Sequence, residues 1–388
     1  MASVAPARVA FPGGRRHTGY GTSAAGCGVA VNVEHEVDVV VIGAGQAGLS
    51  SAYHLGRNGF ADAGDHVVLD ADSAPGGAWR HRWPSLRIGG VHGIHDLPGL
   101  PLREKDGQRP AAEVMAEYFA RYERTFHLPV RRPVQVHSVR YGPDRRLLVD
   151  AGSELWAARA VINATGTWRR PFVPHYPGQA TFRGRQLHTA DYRGPEEFRG
   201  LRVIVVGGGI SAVELLTEIA EVAGTTWVTR RPPVFTGTEF SPDDGRVAVA
   251  EAQRRVQAGS PPGSVVSLTG LPTTPAVRRA RERGVLERSP MFQRITPHGV
   301  QWADGSESGA DVILWATGFR ADLDHLAPLG LREPGGGIRM AGTQVAAEPR
   351  LHLVGYGPSA STIGANRAGR AAVSAVERLL DSGVPAAS

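Results

Sequence analysis

The residues best placed to do chemistry in this sequence are glycines. Gly43, Gly45 and Gly48 form the spacing Gly-x-Gly-x-x-Gly directly after an apolar, β-branched run, Val37 to Ile42, and before a helical pattern over residues 46–57. A strand, a glycine turn and a helix in this order bring free backbone N–H groups and the positive end of a helix to one point. The glycines allow the tight turn, the approach of phosphates and close helix–strand packing. The pattern therefore predicts a site for the pyrophosphate of a dinucleotide.

An acidic residue stands where such a site needs one. The second predicted strand begins at His66 and ends in Asp70, 22 residues after Gly48. In dinucleotide-binding folds, a carboxylate roughly 20 residues beyond the glycines binds the adenosine ribose hydroxyls. This first unit is therefore suited to FAD.

A second glycine turn begins 164 residues after the first. The predicted strand 201–206 leads into Gly207, Gly209 and Ala212, with Ser211 between them, and a helical pattern follows to residue 222. Ala is a permitted third residue of this motif. The sequence thus predicts a second dinucleotide site.

The ribose position of the second unit carries positive rather than negative charge. Its next strand ends in Arg230 and Arg231, and Arg230 lies 21 residues after Gly209. Two guanidinium groups favour a 2′-phosphate, so we expect this unit to bind NADPH in preference to NADH.

Short motifs beside these turns add candidate cofactor contacts. A loop with two glycines and two tryptophans follows Asp70, and an Ala-Thr-Gly sequence ends a predicted strand in each unit. A last strand, glycine turn and helix to Leu380 can return the chain to the first cofactor and aim a helix N-terminus at it. The cofactor-contacting residues predicted from these motifs are Gly77, Trp79, Thr165, Gly166, Thr317, Gly318, Gly355 and Ser361.

These motifs must be positioned by an α/β fold with two Rossmann-like dinucleotide-binding domains, the NADPH domain inserted into the FAD domain. We predict a disordered extension over residues 1–36, FAD-domain segments over 37–166 and 316–388, and an NADPH domain over 167–315. An aromatic stripe predicts a core helix from Ala111 to Phe126. Residues 134–141 and 146–150 are predicted strands, 182–192 a loop or turn, and 275–283 an Arg-rich helix. Two such domains in one chain indicate hydride transfer from NADPH to flavin.

Composition excludes several other classes of protein. The formal charge is +6, but Lys105 is the only lysine and the arginines are scattered, which is not the pattern of a nucleic-acid-binding surface. The sequence contains no run of 18 apolar residues, so no membrane span is predicted. The first 36 residues lack the apolar segment of a secretory signal, so we expect a cytoplasmic protein.

Cysteine and histidine usage argues against thiol and metal chemistry. Cys27 is the only cysteine, so a CxxC redox pair and a cysteine zinc cluster are impossible. His92 and His95 are three residues apart, but glycine and proline around them indicate a loop rather than a metal site. We expect no metal.

Taken together, residues 37–380 resemble the flavin-containing monooxygenases and the related Baeyer–Villiger monooxygenases. The most specific motif in this resemblance is Phe182-x-Gly184-x-x-x-His188-x-x-x-Tyr192, which fits the monooxygenase fingerprint at every fixed position. The other motifs that the sequence shares with this family are the two glycine turns, at Gly43 and Gly207, together with Gly77-x-Trp79 and Ala316-Thr317-Gly318.

The resemblance implies an FAD- and NADPH-dependent monooxygenase that acts with O₂ on a small organic substrate, at a sulfur, nitrogen or carbonyl centre, through a C4a-hydroperoxyflavin. Phe182, Gly184 and His188 would shape the interdomain turn beside NADPH, with His188 structural rather than acid–base. Tyr192 replaces the Trp of the Baeyer–Villiger version, which favours heteroatom oxygenation or decarboxylative oxidation. No residue is assigned a catalytic role.

Two departures from the family pattern leave alternatives open. Pro358 stands where many flavoproteins of this architecture offer an Asp to the ribityl chain, and the residues around Val91 show no match for an asparagine near the flavin. An NADPH oxidase or reductase that passes electrons to O₂ or a quinone remains an alternative, as does a non-catalytic FAD- and NADPH-binding sensor. A disulfide reductase of thioredoxin-reductase type needs two close cysteines, which this sequence lacks.

Overall fold

The computed structural model of the protein describes residues 33–60, 64–91, 93–236, 242–263 and 270–382. The predicted extension lies outside these residues up to position 32, as do Cys27 and His92, and the first strand already begins at His35.

The secondary-structure elements alternate in the manner of an α/β protein. The strands among the described residues are β1 (His35–Ile42), β2 (His66–Leu69), β3 (Val130–Arg131), β4 (Ser138–Tyr141), β5 (Leu147–Asp150), β6 (Leu155–Asn163), β7 (Arg185–His188), β8 (Arg202–Val206), β9 (Gly224–Val228), β10 (Phe235–Thr236), β11 (Leu271–Pro272), β12 (Arg288–Ser289), β13 (Arg294–Thr296), β14 (Gly299–Gln301), β15 (Glu307–Gly309), β16 (Val312–Trp315), β17 (Met340–Ala341), β18 (Gln344–Val345) and β19 (Glu348–Leu353). The α-helices are α1 (Gln46–Arg57), α2 (Ala111–Thr125), α3 (Ile210–Ile219), α4 (Pro242–Gln257), α5 (Pro275–Glu282) and α6 (Thr362–Asp381).

Two sheets organise the chain. The first has the order β17-β18-β19-β6-β1-β2-β3, with the hairpin β4–β5 joined to β6, and the five successive strands from β19 to β3 in this order are parallel. The second has the order β12-β9-β8-β16-β7 and is entirely parallel. Because β7 to β16 lie between β6 and β17 in sequence, the second Rossmann-like unit is inserted into the first.

Strand β1 is buried on both faces, as its β-branched sequence predicts. Val39 and Val41 pack into one hydrophobic cluster, whereas Val37, Val40 and Ile42 pack into another on the opposite face. Helices α1 and α6 cover the first of these faces and pack against each other. Burial of apolar side chains on both sides makes this strand the fixed support from which the first glycine turn begins.

The prediction of a loop over residues 182–192 was wrong for its central part. Strand β7 pairs parallel with β16, placing His188 opposite Trp315. Arg185 and Gln186 are exposed because β7 is an edge strand, so its sequence lacks the apolar run on which the prediction of buried strands depends.

Other elements differ from the predictions mainly at their ends. Helix α3 ends at Ile219 rather than residue 222, strand β4 begins at Ser138, and the loop after Asp70 contains a short 3₁₀-helix, Gly77–His81. No helix in the described ranges is long and apolar enough to cross a membrane.

Candidate functional site

The first glycine turn uses its three glycines for different purposes. A Cβ atom on Gly43, whose φ is +97°, would lie 2.7 Å from the carbonyl oxygen of Ala164. One on Gly48 would lie 1.8 Å from the carbonyl oxygen of Gly43. A Cβ atom on Gly45 would meet nothing within 4 Å. Packing therefore requires Gly43 and Gly48, whereas Gly45 faces open space.

That open space is a cleft at the carboxyl ends of the first sheet's parallel strands. The predicted residues that line it are Gly43, Gly45, Asp70, Gly77, Trp79, Thr165, Gly166, Gly355 and Ser361. Gly48 does not line the cleft, because it lies inside α1 against the turn. Nine residues from five separate stretches of sequence thus meet at one site, the place where α/β folds bind ligands.

Two helix N-termini give this cleft a positive character. Helix α1 begins at the cleft after Gly45, which provides no side-chain cap, and α6 begins there after Ser361. Ser361 accepts a hydrogen bond from the backbone N–H of Gly364 at 3.1 Å. Neither helix has an acidic residue in its first turn. The cleft therefore suits an anion such as a pyrophosphate.

Asp70 reaches the cleft from the end of β2 and is held by a buried ion-pair network. Its Oδ2 accepts a hydrogen bond from Arg132 Nε at 2.6 Å, and Arg132 binds Glu123 through both terminal nitrogens at 2.7 Å. Asp70 Oδ1 accepts no hydrogen bond from the described residues, so it is available to ribose hydroxyls. The network was not predicted, because Glu123 and Arg132 are remote from any motif.

One wall of the cleft is aromatic and contains a half-buried arginine. The guanidinium carbon of Arg82 lies 5.8 Å from the ring centre of Trp79 and 4.9 Å from that of Trp168. Its Nε is buried without a hydrogen-bond partner among the described residues. Burial lowers the pKa of Arg82, and the charge of Glu214 opposes this. No motif singles out Arg82 among the 42 arginines of the sequence.

Glu214 extends this electrostatic arrangement into the second unit. It lies on α3, the helix that follows the second glycine turn, and burial raises its pKa to about 7, with Arg82 acting in the opposite direction. A carboxyl group with this pKa changes charge near neutral pH. The charge of Arg82, beside the first cleft, and the charge of Glu214, on α3 of the second unit, therefore act on each other.

The two Ala-Thr-Gly sequences support the crossing between the two units. Thr165 Oγ1 donates to the backbone oxygen of Asp322 at 2.6 Å, and Thr317 Oγ1 donates to that of Phe172. Backbone hydrogen bonds join Phe172 N to Gly318 O and Asp322 N to Gly166 O, at 2.9 and 3.0 Å. The linkers that follow the two motifs thus run antiparallel and hold each other.

Of the fingerprint residues, His188 contacts this crossing, whereas Phe182 and Gly184 lie at the other end of β7, beside the start of β16. A Cβ atom on Gly184 would lie 2.4 Å from the backbone oxygen of Asp311 and 2.6 Å from the ring of Phe182. His188 Nε2 donates to Gly318 O at 2.9 Å, while Nδ1 accepts from the N–H of Ala190 at 3.1 Å. Burial lowers the pKa of His188, which keeps the ring neutral. Both ring nitrogens are thus committed to backbone groups.

The last fingerprint residue, Tyr192, does not line the cleft. It is 1% exposed and packs within the hydrophobic core of the second unit, against Phe198 and Trp83. Its hydroxyl donates to Glu218 Oε2 at 2.8 Å, and burial raises its pKa. Tyr192 therefore stabilises the core of the second unit and does not contact the cleft.

The second glycine turn repeats the geometry of the first. Gly207 has a φ of +147°, and a Cβ atom on it would lie 2.2 Å from the backbone oxygen of Ala316. Gly209, at the start of α3, has open space where its Cβ would be. Ala212 is fully buried and Ser211 half-buried in the first turn of that helix. The first turn of α3 contains no acidic residue, so this helix N-terminus also suits a phosphate.

Arg230 and Arg231 lie where the sequence predicted them, directly beyond the end of β9. Both side chains are exposed, and neither makes a hydrogen bond or ion pair with any other residue that the structure describes. Arg288, on the neighbouring strand β12, donates to Thr229 Oγ1 at 2.8 Å and adds a third positive charge there. No signal in the sequence had placed Arg288 at this edge.

Among the residues that the structure describes, there is no metal site, and Pro358 has no place in the cleft. The described residues contain no group of three or more His, Cys, Asp or Glu side chains that could hold a metal ion. Pro358 is absent from the lining of the cleft, whereas Asp322 and His325, which the sequence did not single out, are part of it.

Comparison with known proteins places this geometry in a family. The profile of the family described as pyridine nucleotide-disulphide oxidoreductase matches residues 40–243. The structure of a flavin-containing monooxygenase from Stenotrophomonas maltophilia is similar over 89% of this chain and 99% of its own, with 40% sequence identity and a TM-score of 0.77.

Two further relatives are more distant. The rice (Oryza sativa subsp. japonica) indole-3-pyruvate monooxygenase YUCCA1 is 26% identical over 321 residues, which cover 73% of this chain and 77% of the rice protein. The structure of OTEMO in complex with FAD and NADP, at 19% identity and a TM-score of 0.62, covers 89% of this chain and 86% of its own. At that identity, the second relative indicates a shared fold alone.

Proposed function

Because this chain belongs to the flavin-containing monooxygenases, within the wider pyridine nucleotide-disulphide oxidoreductase family, we propose that it binds FAD in the first cleft and NADPH at the second glycine turn. It uses two electrons from NADPH to place one atom of O₂ on a small organic substrate and to release the other as water. The convergence of nine sequence-predicted residues in a single cleft carries this proposal.

The residues of the first cleft fit FAD. The open space at Gly45 admits a pyrophosphate to the N-termini of α1 and α6. Asp70 offers a carboxylate oxygen to the adenosine ribose, and Trp79 offers an aromatic surface in the same cleft. FAD, when bound, supplies the two-electron redox chemistry and the reaction with O₂.

The residues of the second turn fit NADPH. Gly209 and the uncapped start of α3 suit a pyrophosphate, and the unpaired guanidinium groups of Arg230 and Arg231 suit a 2′-phosphate. Arg288 reinforces the positive charge at the same edge. These arginines support the preference for NADPH over NADH.

The protein's own part in the reaction is to bind, orient and exclude water. The two linkers fix the two nucleotide-binding units against each other through backbone hydrogen bonds, and His188 locks one of these linkers as a neutral donor. Trp79 and Trp168 contribute apolar surface to one wall of the cleft, which disfavours water there. An oxygen transfer of this kind requires the protein to position the reactants and to exclude water.

A substrate panel with isotope-labelled oxygen tests the proposal. The purified protein is supplied with FAD, NADPH and ¹⁸O₂ and with a sulfide, an amine, a ketone or indole-3-pyruvate, the last chosen from the name of the rice relative. We expect NADPH consumption to match the formation of ¹⁸O-labelled product for at least one class, with little hydrogen peroxide.

The alternatives give distinct results in the same assay. Peroxide equal to the NADPH consumed with every substrate would identify an oxidase. NADPH consumption only when a quinone is added would identify a reductase. Binding of both cofactors without NADPH consumption would identify a sensor.

A further inference from the structure

Two polar side chains from one short segment reach the FAD cleft without belonging to any predicted motif. Asp322 and His325 follow the second Ala-Thr-Gly sequence, where the chain returns from the second unit to the first. Both line the cleft, Asp322 half-buried and His325 8% exposed. They lie more than 150 residues from Thr165, with which Asp322 is in direct contact.

The sheet order places these side chains opposite Asp70. Strand β1 lies between β2 and β6, and Asp70 follows β2. Asp322 instead is joined to the end of β6, because its N–H donates to Gly166 O at 3.0 Å and its carbonyl accepts from Thr165. A dinucleotide whose pyrophosphate lies at the turn after β1, with its adenosine ribose at Asp70, therefore extends its other half toward Asp322 and His325.

A directed series of hydrogen bonds fixes the orientation of the His325 ring. Asn163 Nδ2 donates to Thr165 Oγ1 at 3.1 Å, so the Asn163 oxygen is the acceptor for His325 Nε2 at 2.7 Å. His325 Nε2 must then carry the proton. Burial lowers the pKa of His325, so the ring is neutral and its Nδ1 is a lone-pair acceptor. Nδ1 has no partner among the residues that the structure describes.

The carboxylate of Asp322 is likewise an acceptor without a donor. Within the described ranges, its side chain makes no hydrogen bond or ion pair, although its backbone groups are both bonded. The neighbouring Asp324 provides a contrast, because its carboxylate pairs with Arg170 and Arg332 and does not line the cleft. A charged acceptor at a ligand cleft, held in place by its own backbone, is suited to bind hydroxyl groups.

We propose that the Asp322 carboxylate and His325 Nδ1 accept hydrogen bonds from the hydroxyl groups of the ribityl chain that joins the flavin ring to the pyrophosphate of FAD. The inference rests on the proposed function, because it takes FAD as the ligand of the cleft. It assigns the two ends of the cleft to the two halves of the dinucleotide, with Asp70 on the adenosine side and Asp322 on the ribityl side.

A comparison of FAD with ADP tests this assignment. ADP contains the adenosine and diphosphate of FAD but lacks the ribityl chain. The dissociation constants of both are measured with flavin-free protein, for FAD from the quenching of flavin fluorescence and for ADP by calorimetry. The variants are Asp322→Ala, the isosteric Asp322→Asn, and His325→Gln, whose amide nitrogen can still donate to Asn163.

We expect Asp322→Ala to weaken FAD binding about tenfold or more, since hydrogen bonds to charged groups are among the stronger ones, and His325→Gln to weaken it about threefold. ADP binding should stay within about twofold for both variants. Asp324→Ala removes the same charge two residues away and should leave both constants unchanged. Asp322→Asn serves if the alanine variant fails to fold, and thermal unfolding of each variant establishes that it has folded.

Two results would overturn the assignment while leaving the proposed function intact. One is FAD binding by Asp322→Ala and His325→Gln at wild-type strength. The other is an equal loss of FAD and ADP binding, which would place the effect outside the ribityl chain. Wild-type protein that binds ADP but not FAD would instead contradict the proposed function itself.

Discussion

Replacement of Gly45 by valine should strongly weaken FAD binding without unfolding the protein. The backbone of Gly45 is extended, with φ of −81°, so a β-branched residue is tolerated there. A Cβ atom on Gly45 would touch no protein atom within 4 Å, so the valine side chain projects into the cleft at the start of α1. There it occupies the space that a phosphate needs to reach the N–H groups of the first helical turn.

The size of the effect follows from the hydrogen bonds that are lost. Each bond from a backbone N–H to a phosphate contributes about 1.5 kcal/mol or more, so the loss of two weakens FAD binding by about 3 kcal/mol, or about a hundredfold. The folded protein should lose about 1 kcal/mol at most, through a poorer residue at the helix start. Fluorescence titration with FAD and a thermal unfolding curve measure the two quantities separately.

Gly48→Ala is the matched comparison. A single added methyl group there lies 1.8 Å from the carbonyl oxygen of Gly43, inside the packed turn rather than the cleft. We expect this smaller substitution to destabilise the fold by about 3 kcal/mol or more. Gly45→Val protein that keeps wild-type affinity for FAD, or Gly48→Ala protein as stable as wild type, would refute the assignment of roles within the turn.

Three further expectations concern charges. Arg230→Ala/Arg231→Ala should raise the KM for NADPH about tenfold or more and leave that for NADH nearly unchanged, as initial rates will show. Glu214 has a pKa of about 7 in the folded protein, above its ordinary value, so burial of its neutral form stabilises at low pH and this contribution is lost as pH rises through 7. We therefore compare the free energies of unfolding in urea of wild type and Glu214→Gln at pH 5 and pH 8. The free energy of unfolding of the glutamine variant, relative to that of wild type, should be up to about 3 kcal/mol greater at pH 8 than at pH 5. Arg132→Met leaves two buried carboxylates unpaired and should cost about 3–5 kcal/mol in the same assay at pH 7.

Each of these has a control or an opposing outcome. Arg278→Ala/Arg279→Ala removes the same charge from an exposed face of α5 and should leave both KM values unchanged; equal effects of Arg230→Ala/Arg231→Ala on NADPH and NADH would remove the 2′-phosphate argument. A pH-independent difference between wild type and Glu214→Gln would contradict a titrating buried carboxyl group. An Arg132→Met variant of wild-type stability would show that the network contributes nothing to folding.

The parts of the site that local sequence could specify were the strand–glycine–helix units. Gly43, Gly45 and Gly48 are predictable because the flanking strand and helix are encoded within 20 residues of them. The start of α6 at the first cleft was likewise signalled by a strand and a glycine turn. Such units depend on short-range periodicity, which a sequence displays directly.

The residues that sequence reasoning missed are those placed by tertiary contacts. Arg82 and Arg132 look like any other arginine until Trp168 and Asp70 are seen beside them. Asp322 reaches the cleft only because the second unit returns the chain to Thr165, and β7 owes its strand conformation to its pairing with β16. None of these depends on a local pattern, so no local pattern could reveal them.

Titration of the purified, FAD-loaded protein with NADPH in the absence of O₂ tests the central claim most directly. If one chain holds both cofactors with their reactive rings in contact, one equivalent of NADPH should bleach the visible flavin absorbance of one equivalent of FAD. A protein that stays colourless after reconstitution with FAD, or whose flavin keeps its absorbance under excess NADPH, would contradict the claim.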